Sequence, residues 1–165
     1  MHPMRILAIT FTNKAADEMK QRVERLVGSV ARQMWVSTFH SACVRFLRRD
    51  ADRIGFPKQF SIYDQADAQR LVGYVIRDLG LDAKRFPARG IHAQISQFKN
   101  DLVSPAQAAE RAANIFERKI AEVYAEYEAR LKKAGAMDFD DLLVNTVRLL
   151  RSARSEEHTS ELQSH

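Results

Sequence analysis

The chain has 165 residues, 45% of them hydrophobic, and a formal net charge of +5. That length suits one domain, or one domain with a small insert, and the apolar content excludes a chain disordered throughout. A lone cysteine, Cys43, excludes an intrachain disulfide, no apolar run nears the roughly 20 residues of a membrane span, and Met1-His2-Pro3-Met4-Arg5 lacks signal-peptide character.

These features predict a cytoplasmic protein, and the basic balance favours a polyanionic partner. Ile6 to Thr10 is short, apolar and bounded by turn residues, which predicts a fully buried strand. A helix is expected from about Lys14 to Val27, with Met19, Val23, Leu26 and Val27 on its apolar face and Gly28 as its stop. Met34 to Val36 reads as a second strand that runs into Ser37-Thr38-Phe39-His40. The following helix carries Cys43, Phe46, Leu47, Ala51 and Ile54 on one side and closes at Gly55. Cys43 is read there as a buried structural thiol and Trp35 as a core residue.

Phe60 to Tyr63 predicts a third strand, and Asp64 an N-cap for a helix with the stripe Ala68, Leu71, Val72, Val75, Ile76 and Leu79, ending at Gly80. Pro87 opens a segment with Ile91, Ile95, Phe98 and Leu102 at helical spacing. Ser104-Pro105-Ala106-Gln107 has the form of a capping box, and its helix is expected to run to about Lys133 along Ile120, Val123, Tyr124, Tyr127 and Leu131. After Gly135, Asp138 caps a last helix with Phe139, Leu142, Leu143, Val147 and Leu150. Early strands and a helical middle suggest part of a parallel α/β sheet followed by a helical subdomain.

The periodicity ends near Arg154. Residues 154–165 resemble the in-frame translation of a sequencing adapter and are expected not to be native, so they are set apart from fold reasoning. They hold one Arg and three Glu, so residues 1–153 carry +7.

Two strand-to-helix junctions share one design. Thr10-Phe11-Thr12-Asn13 and Ser37-Thr38-Phe39-His40 each join hydroxyls and an aromatic to a helix start. Ligands of open α/β sheets bind at this edge, and helix N-termini offer free N–H groups to phosphates. The same residues are also ordinary caps and ordinary core aromatics, so the residues alone leave both readings open.

Other candidates read as structural. Asp17-Glu18 suits favourable charge near a helix start, and Asp138, Asp140 and Asp141 suit a cap and exposed helix carboxylates rather than a metal cluster. Neither His2 nor His92 has a partner at metal-ligand spacing. The six glycines precede Ser, Phe, Tyr, Leu, Ile and Ala, never Lys, so the phosphate-cradling G-x-x-x-x-G-K-[ST] pattern is absent from these residues.

Residues 6–20 resemble motif Ia of the UvrD/PcrA/Rep-type superfamily 1 DNA helicases, and Val36-Ser37-Thr38-Phe39-His40-Ser41 resembles that family's next DNA-contacting motif. The likeness continues through Phe60-Ser61-Ile62-Tyr63-Asp64 and Ile95-Ser96-Gln97-Phe98-Lys99-Asn100 to Ala136-Met137-Asp138-Phe139-Asp140-Asp141-Leu142-Leu143. It implies an α/β fold: part of a P-loop NTPase (RecA-like) parallel sheet with a mainly helical 1B insert. It implies domain 1A over residues 1–59, the 1B subdomain over 60–135 and a return to 1A over 136–153. It implies a truncated ATP-dependent helicase that moves 3′ to 5′ on single-stranded DNA and unwinds duplex in repair or replication.

The resemblance also assigns residues. Phe11, Thr12 and Asn13 match positions that touch the single strand, and Thr38, Phe39 and His40 match a second contact. Duplex DNA would meet the 1B segment. ATP and magnesium would serve the intact protein, while this chain, without the P-loop, is expected to bind neither, to hold no catalytic residue and to be inactive alone. Two alternatives are a non-catalytic DNA- or partner-binding helical module and a RecB-like helicase-nuclease.

Overall fold

The structure is a computed structural model, and it describes residues 2–163. The chain forms two compact units, Met1–Phe46 and Leu47–His165.

In the first unit, strands β1 (Leu7–Thr10) and β2 (Trp35–Thr38) pair in parallel, with Leu7 opposite Trp35 and Thr10 opposite Thr38. A parallel pair needs a crossover, and helix α1 (Asn13–Val27) supplies it. Gly28 then takes φ +71°, a left-handed turn that a Cβ would strain, and one short 3-10 segment leads into β2. Helix α2 (Phe39–Asp50) starts directly after β2 and runs on into the second unit. Trp35 is half-buried, with its ring 5.3 Å from Phe46 and the Arg45 guanidinium 4.3 Å above it, while Cys43 is buried as expected.

The expectation of a fully buried first strand is corrected. Leu7 and Ile9 are 39% and 41% exposed, whereas Val36 and Thr38 of β2 are buried. Side chains alternate across a strand, and in this register Ala8, Thr10, Val36 and Thr38 share one face. Only that face is covered, so the apolar run contributes half of its residues to the core.

The second unit contains β3 (Ser61–Tyr63), α3 (Gln65–Asp78), α4 (Ala88–Asn100), α5 (Pro105–Arg111), α6 (Ile115–Lys133), β4 (Ala136–Asp138) and α7 (Phe139–Gln163). Its core joins Val72, Val75 and Ile76 of α3, Ile91 and Ile95 of α4, and Ile120, Val123 and Tyr127 of α6. The expected caps form: Asp64 with Asp67, and Ser104 with Gln107, make reciprocal capping boxes.

Two expectations fail here. The helix expected from Pro105 to Lys133 breaks after Arg111, because Asn114 caps a fresh start: its side chain accepts the Glu117 N–H at 2.9 Å, and Glu117 accepts the Ala113 N–H at 2.6 Å. The segment before Phe139 is also a strand. Ser61, Ile62 and Tyr63 pair in parallel with Ala136, Met137 and Asp138, so strands are not confined to the early chain. Three residues are too few to show a period, and the partner lies far away in sequence.

α4 ends with Leu102 at φ +57°, where the Val103 N–H reaches back to the Phe98 carbonyl at 2.8 Å. α7 extends through the segment set apart above, and residues 154–160 are all exposed.

Candidate nucleic-acid interface

Both junctions of the first unit sit at one edge of its sheet, because Thr10 and Thr38 are register partners. The turns after them therefore begin about 4.8 Å apart, the usual spacing of paired strands. The first follows β1: the Thr12 hydroxyl accepts the Ala15 N–H at 3.1 Å and caps α1, and the Thr10 hydroxyl donates to the Thr12 carbonyl at 3.2 Å. With the turn held from both sides, Phe11 projects 93% exposed, beside an exposed Asn13.

The second junction repeats the device. The Thr38 hydroxyl accepts the Ser41 N–H at 3.2 Å and donates to the Ser41 hydroxyl at 2.8 Å, which starts α2. Phe39 is 44% exposed and His40 is exposed. All six sequence-derived positions thus lie at one edge in two roles. Thr12 and Thr38 spend their hydroxyls on the helix starts, and Thr38 is buried; Phe11, Asn13, Phe39 and His40 present side chains to the surface. Neither helix carries an acidic residue in its first turn, so both positive dipole ends face the edge uncancelled. Aromatic faces beside helix ends that carry neutral caps suit a chain of bases and phosphates.

The model of the UvrD/REP helicase N-terminal domain matches residues 1–165. The chain belongs to that helicase family. Its relatives include the "ATP-dependent DNA helicase PcrA" of Bacillus subtilis (strain 168), 47% identical over 147 residues, which cover 89% of this chain and 20% of that protein. The Staphylococcus aureus (strain Mu50 / ATCC 700699) protein of the same name matches equally, and that of Leuconostoc citreum is 49% identical over 152 residues, 92% of this chain and 20% of its own. The chain spans about a fifth of the length of these curated relatives. As a piece of a UvrD/PcrA-type helicase, it contains no helix long and apolar enough to cross a membrane among the described residues.

A second polar constellation lies inside this family member's second unit. The Lys99 ammonium of α4 is 2.5 Å from Glu128 of α6, 2.8 Å from Asp138 of β4 and 3.0 Å from Asp141 of α7. The Tyr127 hydroxyl donates to Asp138 at 2.7 Å, and Ser96 hydrogen-bonds Asp140. Asp138 and Asp141 also cap α7 reciprocally, Asp138 accepting the Asp141 N–H at 2.8 Å. The expected cap is therefore present. The expected exposed carboxylates are corrected: Asp138 is buried and Asp141 turns inward because Lys99 draws them, and Asp140, bonded to Ser96, is itself half-buried.

Burial sets the electrostatics of this cluster. It pushes the Asp141 carboxyl up to about 7, helped by Asp138 and Glu128 and opposed by Lys99. Burial also raises Glu128 and lowers His92. For Asp138 it is outweighed by Lys99 and Tyr127, which hold that carboxylate below its usual range. For Lys99 it is outweighed by the three acids, which keep the ammonium charged. Oxygens of Glu128, Asp138 and Asp141 lie within 4.8 Å of one another, a metal-like spacing, but Lys99 already supplies the cation.

Sequence reasoning missed Lys99. Its signal was present: Ile91, Ile95 and Lys99 fall four residues apart on one face of α4. A lysine in register with a core stripe requires buried counterions.

Proposed function

We propose that this chain is the DNA-gripping part of an ATP-dependent helicase that moves 3′ to 5′ along single-stranded DNA and unwinds duplex in repair or replication in the cytoplasm. Its β1–β2 edge holds the single strand. Phe11 and Phe39 stack on bases, Asn13 and His40 donate to the strand, and Thr12 and Thr38 keep the two turns in the shape that presents them. One observation carries this reading: in-register pairing of Thr10 with Thr38 sets two aromatic-bearing helix starts side by side, with Phe11 almost wholly in solvent.

The same reading assigns residues 1–59 and 136–153 to a RecA-like 1A domain and 60–135 to a helical 1B insert that meets duplex DNA. ATP and magnesium belong to the intact protein, since no glycine of this chain precedes a lysine. Names borne by the relatives support the activity, and the exposed aromatic edge supports the strand contact.

The test is fluorescence anisotropy of the full chain with a labelled oligothymidine. Weak binding that falls as salt rises is expected, and Phe11→Ala weakens it about 5- to 100-fold, the range of one base–aromatic stack. Binding that is unchanged in Phe11→Ala overturns the assignment of the edge, and ATP turnover above a blank preparation overturns the assignment of the nucleotide site to the rest of the protein.

A further inference from the structure

Three carboxylates share one ammonium in the second unit, and they come from three different elements. Like charges this close resist ionising together in a buried site, so the arrangement favours a proton on one of the three. Distance from the ammonium and access to solvent separate the three. Asp138 receives Lys99 at 2.8 Å, the Tyr127 hydroxyl at 2.7 Å and the Asp141 N–H at 2.8 Å. Glu128 has the shortest approach to Lys99, an ion pair rather than a hydrogen bond at its buried Oε1, with a side chain one-third exposed and the Arg148 charge in its surroundings. Asp141 has the longest approach to Lys99 and one backbone N–H at 3.2 Å, with a side chain only 13% exposed.

We infer that the Lys99 cluster is a proton-dependent clamp between α4 and the β4–α7 turn, closed when Asp141 holds a proton and eased when that proton leaves. A protonated Asp141 removes a third buried negative charge from beside Glu128 and Asp138, whose oxygens lie within 4.8 Å of its own. Beside it lies a cavity of about 220 Å³, lined by Glu128, Asp141, Asn145 and Arg148, where water solvates the carboxylate once it ionises. The upward push on Asp141, to about 7, agrees in direction with this geometry.

Glu128 on α6 is the other carboxyl of the cluster that burial raises, so the response of Asp141 itself is what the test must isolate. Lys99 on α4 stays protonated, and burial lowers His92 on the same helix, opposed by Asp138 and Asp140. Tyr124 and Tyr127 on α6 are raised further from neutrality by burial. Asp138 on β4 stays ionised. Arg148 on α7 adds a positive charge near Glu128. Asp140 meets Ser96 rather than Lys99. The sign follows from the closed form binding the proton more tightly than the open one. The opening constant rises with pH between the ordinary carboxylate value near 4 and about 7, by at most about tenfold per unit, and levels off above.

The test is amide hydrogen exchange of the full chain at residues 138–143, corrected for intrinsic base catalysis, from pH 5 to 8. A clamp of this kind gives an opening constant at least tenfold larger at pH 7.5 than at pH 5, and Asp141→Asn removes that slope. The wild-type Asp141 carboxyl, followed by carbon NMR, titrates well above the ordinary range. Titration of Asp141 below pH 5, or a slope that survives in Asp141→Asn, overturns the clamp. The NMR measurement needs no variant, so the inference stays exposed even where the substitution fails to fold.

Discussion

The two parallel strand pairs are built alike and used differently. β1–β2 and β3–β4 each run in register into helix starts. At the first edge hydroxyls cap the helices, no carboxylate enters either first turn, and the residue after each strand is an exposed aromatic. At the second edge carboxylates cap α3 and α7, β4 is buried throughout, and a buried lysine gathers the acids. The backbone alone does not decide between gripping a ligand and locking a core. Side-chain charge at the strand ends does: neutral caps leave the helix dipoles free for an anion, while acidic caps consume them.

The contrast breaks most sharply at Lys99. Lys99→Ala strands three carboxylates around an empty position, and urea denaturation should show a loss of about 3–5 kcal/mol, as for other broken buried ion pairs. Phe11→Ala at the other edge should leave the urea midpoint unchanged while costing about 1–3 kcal/mol of single-strand binding by anisotropy. A Phe11 variant that lost stability instead would dissolve the contrast. The caps sharpen it on a finer scale. Thr12→Ala and Asn114→Ala should each cost about 1 kcal/mol, but only the first should also weaken DNA binding, since it loosens the turn that carries Phe11. The smallest effect belongs to the solvent: Arg32→Ala removes an exposed pair with Glu24 at 3.1 Å and should move stability by no more than about 0.5 kcal/mol in the same urea series.

Much of the fold was legible because it is written locally. Asp64, Ser104 and Asp138 announce helix starts through short-range hydrogen bonds, and the α3 and α4 stripes carry enough turns to show their period. The candidate edge was legible for the same reason, since each junction is a run of four residues. What escaped depends on distance or on rivalry between signals. β4 has three residues and a partner beyond four helices. The break at Asn114 was hidden because Ile120 to Leu131 forms a helical stripe that gives no sign of where its helix starts. The half-exposed β1 could not be read from an apolar run, because composition does not say how many faces a sheet has covered. The partners of Lys99 come from three elements, and no local pattern joins them.

The pairing of β3 with β4 also has a kinetic side. Leu7 meets Trp35 across one helix, whereas Ser61 meets Ala136 only after α3, α4, α5 and α6 have been traversed. Closing that long loop costs chain entropy before any ladder bond repays it, so β4 is expected to pair late on the folding route. Destabilising changes at Met137, buried in the middle of β4, should then speed unfolding and leave the refolding rate almost untouched. The second unit behaves like a purse drawn shut by its last strand, and how long it stays shut is governed there.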